Sequence, residues 1–68
     1  MPLESARLSS LAAGVDELSR RAGELASELD GGLNAEAAVA LYEAERSLAM
    51  ASRAVDRARR IVDDTGRP

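Results

Sequence analysis

The chain has 68 residues and a formal net charge of −3, and it contains no cysteine, histidine, lysine, tryptophan or phenylalanine. Its length allows one domain at most and is close to the size at which a single hydrophobic core no longer suffices. The missing cysteine and histidine exclude disulfides, nearly all structural zinc sites, thiol nucleophiles and histidine bases. The serines have no base beside them, so the sequence predicts no enzyme activity and no cofactor. It also predicts no metal, because solvated charge explains the carboxylates better than the alternative of a Mg²⁺ or Ca²⁺ site.

The composition favours an all-α fold. Fourteen alanines and nine leucines supply most of the apolar residues, whereas there are only four valines, one isoleucine and one tyrosine. Alanine, leucine, arginine and glutamate are strong helix formers, and strands prefer the β-branched and aromatic residues that are scarce here. No apolar run approaches the ~20 residues needed to span a bilayer, and the N-terminus lacks the features of a signal peptide. This predicts a cytoplasmic protein, with secretion by a route without a cleaved signal as the alternative.

Two helices and one turn account for the whole chain. In chain order, helix 1 is predicted over about 4–29, a turn over 30–34, and helix 2 over about 35–63. Gly14 and Gly23 fall inside helix 1, where each costs ~1 kcal/mol relative to alanine. They mark either a close approach of a neighbouring helix or a position on the surface.

The ends of the helices carry recognisable signals. The Asp-Gly-Gly segment at 30–32 is a strong turn signal, and Asn34 behind it is a good N-cap for the second helix. Gly66 followed by Pro68 predicts the end of that helix.

Apolar residues recur every 3.5 residues on average in both predicted helices, which is the pattern of left-handed coiled-coil packing. The series of helix 1 runs from Leu8 to Leu29, and that of helix 2 from Ala37 to Val62, with alanine at every second position. Because a short turn joins them, the two series predict an antiparallel αα-hairpin with Ala-rich heptads. The residues predicted to form its core and an oligomer interface are Leu8, Leu11, Val15, Leu18, Leu25, Leu29, Leu41, Ala44, Leu48, Ala51, Val55, Ala58 and Val62.

A stripe of small residues lies beside each apolar series. Each helix therefore has an apolar-to-small band three heptad positions wide, whereas the contact between two helices needs only two. The surplus predicts a second copy of the chain, so that two hairpins form a homodimeric four-helix bundle. The small stripes are Ser5, Ala12, Ser19 and Ala26 on helix 1, and Ala40, Ser47, Ala54 and the larger Ile61 on helix 2.

Charge is distributed unevenly along the chain. Residues 1–45 carry a net charge of −6, whereas residues 46–68 carry +3. Four of the arginines on helix 2 form a candidate basic patch. It could be a surface that contacts phosphates or an acidic partner. The alternative is a solvated face, because arginines are favourable near a helix C-terminus. Nucleic acid is the weaker choice of partner because the chain is acidic overall and has a single aromatic side chain for stacking. The patch comprises Arg46, Arg53, Arg57 and Arg60.

Apolar residues also occur where helix 2 is expected to face solvent. Val39, Tyr42, Ala49 and Met50 form a candidate docking surface for a larger protein partner. In the alternative interpretation, Tyr42 caps the end of the bundle and Met50 fills a gap at the dimer contact. Both interpretations place these residues at an interface.

From the turn onward the chain carries Leu-Asp-Gly-Gly-Leu at 29–33, Leu-Tyr-Glu at 41–43, and further matching single positions. In these motifs the second half of the chain resembles the small subunit of exonuclease VII. Glu45 stands where that family has glycine, and the turn is one residue shorter. The resemblance implies a short acidic helical hairpin that binds along the helices of a large nuclease subunit. The other matching positions are Glu36, Ala38, Leu48, Ala49, Ala58 and Val62.

Three functional hypotheses follow. The first is a non-catalytic coiled-coil assembly protein that forms homo-oligomers and docks on a larger partner. The second is the accessory subunit of a nuclease similar to exonuclease VII. The third is a regulator that binds nucleic acid or a nucleotide through the arginines of helix 2.

Overall fold

The structure, a computed structural model, describes residues 3–65 and contains two α-helices and no strand within that range. Helix α1 spans Leu3–Leu29 and helix α2 spans Ala35–Thr65. The two helices pack side by side along their length in opposite directions. The predicted all-α hairpin is therefore confirmed. Helix α2 continues two residues past its predicted end, and the stop signal at Gly66 and Pro68 lies outside the described residues.

The chain reverses direction in a turn where Gly31 adopts the left-handed backbone conformation. The last turn of α1 is extended by a 2.9 Å hydrogen bond from the Asp30 amide to the Ala26 carbonyl. Gly31 follows with a φ of 86°, a conformation that is costly for any residue with a Cβ atom. The Asn34 carbonyl then accepts the first hydrogen bond of α2, 3.1 Å from the Ala38 amide, which places Asn34 at the N-cap.

The core of the hairpin is made of small side chains. Among the described residues, only Ala12, Ala26 and Ala38 are fully buried, and no large side chain is. The aliphatic residues that line the contact between the helices are half-buried. They are Leu8, Val15 and Leu29 of α1 and Leu41, Leu48, Val55 and Val62 of α2.

The packed face of α1 is rotated relative to the sequence-based prediction. Leu11, Leu18 and Leu25 were predicted in the core of the hairpin, but they are 52%, 50% and 48% exposed. The small stripe, in which Ala12 and Ala26 are buried, faces α2 instead. Small side chains let the two backbones approach closely, and a leucine in their place would push the helices apart. The core prediction for these three leucines is therefore wrong for the isolated hairpin.

The packed face of α2 is rotated in the same sense. Ala37, predicted to begin its core series, is exposed, and its neighbour Ala38 is buried. The stripe that contains Ala38 continues through Glu45, Ser52 and Arg59, all of them partly buried. Polar side chains therefore line the contact between the two helices, and their small partners on α1 leave room for them.

The hairpin is a flat rod that exposes an unusually large surface. Its Cα radius of gyration is 15.7 Å, compared with about 11 Å for a compact globule of this length. Its accessible surface is 5140 Å² for a mass of 7.2 kDa, about 1000 Å² more than a compact monomer of that mass exposes. Because the hairpin is a single layer, each helix is covered only where it contacts the other. The remaining faces of both helices are exposed.

Candidate self-association surface

The most apolar open face of the hairpin runs along one side of both helices. On α1 it is formed by Leu11, Leu18 and Leu25, here called the leucine stripe, which lie seven residues apart and are each about half exposed. A shallow groove beside the stripe is shared with α2, because Leu48 lines it next to Leu18 and Leu25. At the other end, Val62 lines a groove together with Leu11. The side of α2 next to Leu48 and Val62 therefore continues the apolar face.

On α2 the same face is formed by small residues. Ala44, Ala51 and Ala58, here called the alanine stripe, are partly buried and lie one helical position outside the stripe of Leu48. The stripe next to the alanine stripe carries no charge. It consists of Ala40, Ser47, Ala54 and Ile61, all exposed.

The middles of the two stripes lie at the same level of the hairpin. Asp16 and Ser52 are directly hydrogen-bonded across the helices at 2.7 Å. Leu18 follows Asp16 by two residues and Ala51 precedes Ser52 by one, which places them within about one residue rise, ~1.5 Å, of each other along the rod. The leucine and alanine stripes therefore share one midpoint.

A charged flank borders the leucine stripe on the side away from α2. It consists of Arg7, Gly14, Arg21 and Glu28, which recur every seven residues and line the same grooves as the leucines. On the other side the leucine stripe is bordered by the half-buried Leu8, Val15, Ala22 and Leu29. The leucine stripe thus has one charged and one apolar neighbour. Sequence reasoning missed the charged flank, although its sevenfold spacing was visible.

The opposite face of the hairpin is polar. The Ser5 hydroxyl donates to Asp63 at 3.1 Å, and Ser52 donates to Asp16. A Cβ built on Gly23 would lie 3.0 Å from Cδ of Glu45 and closer still to one of its oxygens, so this glycine admits the carboxylate. The two hydroxyl–carboxylate pairs therefore join the helices on this face.

A third group of charges lies on the solvent side of α1. The Arg20 guanidinium contacts Glu17 and Glu24, each at 2.5 Å. The hydrogen bond from Arg20, aided by the charges of Arg20 and Arg21, lowers the pKa of Glu17. The same hydrogen bond, with the Glu17 and Glu24 charges, raises the pKa of Arg20. The pairs are solvent-exposed, so they stabilise the helix only weakly.

The predicted basic patch and docking surface lie on the solvent side of α2. Arg46, Arg53, Arg57 and Arg60 are all exposed, and none of them is among the ion pairs of residues 3–65. Val39 and Met50 are 60% and 64% exposed, but they are ~16 Å apart along the helix axis. Tyr42 and Ala49 are partly buried and lie on a different stripe. The apolar residues of this surface are therefore separated by arginines, and their role stays a prediction.

The described residues offer no centre for metal chemistry. Across 3–65, no three carboxylates come together in a way that could hold a metal ion. Neither helix, over the same range, has a stretch apolar and long enough to cross a membrane.

Comparison of the chain with models of known protein families, with curated proteins and with solved structures gives no match.

Proposed function

We propose that this protein is a non-catalytic helical-hairpin module that self-associates through the face formed by the leucine and alanine stripes. The observation that carries the proposal is the position of the leucines. Among the described residues the hairpin fully buries only alanines, and it leaves Leu11, Leu18 and Leu25 half exposed in one row. A row of large aliphatic side chains at heptad spacing is what a coiled-coil partner binds.

The energetics of the isolated hairpin support the same proposal. Its fully buried described residues are three alanines, and chains below ~70–80 residues seldom gain more than about 3–5 kcal/mol from one core. The excess exposed surface of about 1000 Å² per chain is comparable to the ~800 Å² that each partner buries in a stable interface. A second copy would complete the core that the first one lacks.

Sedimentation equilibrium from about 0.1 to 100 µM tests self-association directly. We expect a mass of twice the 7.2 kDa of the chain at the upper concentrations. Leu18→Ala should weaken the dimer about 100-fold, because each chain loses apolar contacts worth roughly 1–1.5 kcal/mol. Met50→Ala is the matched control, since Met50 is exposed on the solvent side of α2. A chain that stays a folded monomer at 100 µM contradicts the proposal.

In such a dimer the solvent side of α2 remains free. That side carries Arg46, Arg53 and Arg60 in one stripe, with Val39 at its start. It is the surface we propose for docking on a larger, acidic protein in the cytoplasm. Replacing Arg53 and Arg60 by glutamate should leave the dimer intact and abolish binding of such a partner.

The role of a nuclease accessory subunit, implied by the resemblance of the second half, remains a separate prediction. It requires a complex with a large nuclease subunit, and copurification of the two from cells that express both would test it. Binding of nucleic acid by the arginines is tested by fluorescence anisotropy of a labelled duplex. A signal lost on replacing Arg53, Arg57 and Arg60 by glutamate would support that role.

A further inference from the structure

We infer that the second copy binds antiparallel to the first, about a two-fold axis at the level of Leu18 and Ala51, and that the charged flank of α1 fixes this orientation. The inference rests on the proposed self-association and adds which residues meet. It is carried by the pattern of charges and sizes on the two sides of the leucine stripe.

The geometry of helix pairs decides which flanks meet. In an antiparallel pair related by a two-fold axis, a flank of one helix faces the same flank of the other. In a parallel pair it faces the opposite flank. The leucine stripe has a charged flank on one side and an apolar flank on the other. Only the antiparallel arrangement therefore keeps charge against charge and apolar against apolar.

The order of charges on the flank also suits the antiparallel arrangement. With the axis at Leu18, Leu11 of one copy faces Leu25 of the other, by the equal spacing of the stripe. The same axis sets Arg7 opposite Glu28 of the second copy, which is an attractive pair that forms twice. Arg21, the remaining cation, then faces Gly14 of the second copy, so that no two like charges meet.

In a parallel dimer the same residues would be poorly placed. Arg7 would lie against the apolar flank at Leu8 of the second copy, and Arg21 against Ala22. The guanidinium groups would then border aliphatic side chains, and no anion would be opposite them. Charges of this kind suppress the wrong orientation more than they strengthen the right one.

Helix α2 gives a second and independent indication. The alanine stripe is symmetrical about Ala51, so that Ala44 of one copy faces Ala58 of the other. In the next stripe outward, Ala40 faces Ile61 of the second copy, a small residue against a large one. Because Ala51 and Leu18 share one level, a single two-fold axis serves both helices. The product is a four-helix bundle in which each α1 packs on the other α1, and each α2 on the other α2.

Cysteine cross-linking tests the orientation, and the natural chain contributes no cysteine of its own. We would prepare Leu11→Cys and Leu25→Cys separately and oxidise each alone and as an equimolar mixture. The inference requires disulfides between the two variants in the mixture, at least about tenfold over those within either variant alone. Leu18→Cys lies on the axis and should cross-link with itself, while Ser27→Cys, on the far side of α1, should not.

Charge exchange gives an independent readout. Arg7→Glu and Glu28→Arg should each weaken the dimer about tenfold, because each sets like charges opposite one another twice. The double variant should recover the dissociation constant of the natural chain, since it restores both pairs in reverse. The control exchanges the charges of Arg20 and Glu24, which are paired within one helix. These variants should leave the dissociation constant of the dimer unchanged.

The outcomes separate the two proposals. A dimer in which Leu11→Cys cross-links with itself and not with Leu25→Cys overturns the antiparallel orientation and leaves self-association standing. If the double variant of Arg7 and Glu28 dimerises as weakly as the single variants, the antiparallel orientation is again overturned and self-association again stands. A monomer at all concentrations overturns the proposed function, and the orientation with it.

Discussion

The carboxylate of Asp16 on α1 accepts a 2.7 Å hydrogen bond from the hydroxyl of Ser52 on α2. Eleven residues away along each helix the roles are reversed, since the hydroxyl of Ser5 on α1 donates to Asp63 on α2 at 3.1 Å. Two pairs at the same interval set a single register for the hairpin. A slip of one residue in either helix would break both bonds and turn the small stripes away from each other.

A double-mutant cycle should show that Asp16 and Ser52 are coupled. Ser52→Ala and Asp16→Ala should each lower the free energy of unfolding by about 0.5–1 kcal/mol, and the double variant by no more than the larger single loss. Urea denaturation at one fixed chain concentration measures this. Ser10→Ala is the control, because Ser10 is exposed on α1 and should have no effect beyond helix propensity. Fully additive losses would mean that the bond contributes nothing.

Gly31 should be the turn glycine whose replacement by alanine lowers the stability of the hairpin. Its φ of 86° is in the left-handed region, where an alanine costs ~1–2 kcal/mol. We therefore expect Gly31→Ala to lower the free energy of unfolding by that amount. At Gly32, a Cβ would only reach ordinary contact with the Leu29 carbonyl, 3.5 Å away. Gly32→Ala is thus the matched control, and equal losses from both variants would contradict the assignment.

The hairpin itself could be predicted from sequence because its signals are local. Alanine and leucine at heptad spacing specify helices, and the glycines at 31–32 specify a turn. The structure places the helix ends within two residues of the predicted ones. Each of these features depends on neighbours a few residues away, so no tertiary information is needed to read it.

The rotation of the helices could not be predicted in the same way. Each apolar-to-small band is three stripes wide, and hydrophobicity alone chooses the leucines for the core. The structure instead buries Ala12 and Ala26 and leaves Leu18 half exposed. What decides the rotation is the close approach of the helices at Ala12 and Ala26, which also brings Ser52 within hydrogen-bond distance of Asp16. Pairs of this kind are separated by dozens of residues, and only the folded register brings them together.

The two glycines inside α1 differ in what an added methyl group would meet. At Gly14 a Cβ has nothing within 4 Å in the hairpin, so Gly14→Ala should raise the free energy of unfolding by about 1 kcal/mol through helix propensity, when measured at a chain concentration below that of dimerisation. At Gly23 the Cβ meets the carboxylate of Glu45, which must swing away. We therefore expect a smaller gain for Gly23→Ala.

Removal of the obstructing carboxylate tests this explanation. In a Glu45→Ala background, Gly23→Ala should gain the full ~1 kcal/mol that Gly14→Ala gives in the natural chain. The four variants are Gly14→Ala, Gly23→Ala, Glu45→Ala and the double variant of Gly23 and Glu45. Thermal unfolding followed by circular dichroism, at one chain concentration, compares their stabilities. If Gly23→Ala gains as much with Glu45 present as without it, the carboxylate does not limit the site.

The lowered pKa of Glu17 makes a small part of the stability depend on pH. Because the Arg20 hydrogen bond lowers the pKa in the folded chain below its ordinary value of 4.5, the contribution is present above that value. It is lost as the pH falls through the lower pKa of the folded state. Titration of the Glu17 carboxyl carbon by NMR should give a midpoint below 4.5.

Two substitutions identify the cause of that shift. Arg20→Gln should return the midpoint of Glu17 close to its ordinary value, because it removes the hydrogen bond, which lowers this pKa most, together with the charge of Arg20. Arg21→Gln should move the midpoint less, since Arg21 acts on Glu17 only through its charge. High salt should reduce the Arg21 effect further, because exposed charges are screened. A midpoint that responds equally to both substitutions would mean that net charge, and not the hydrogen bond, sets the acidity of Glu17.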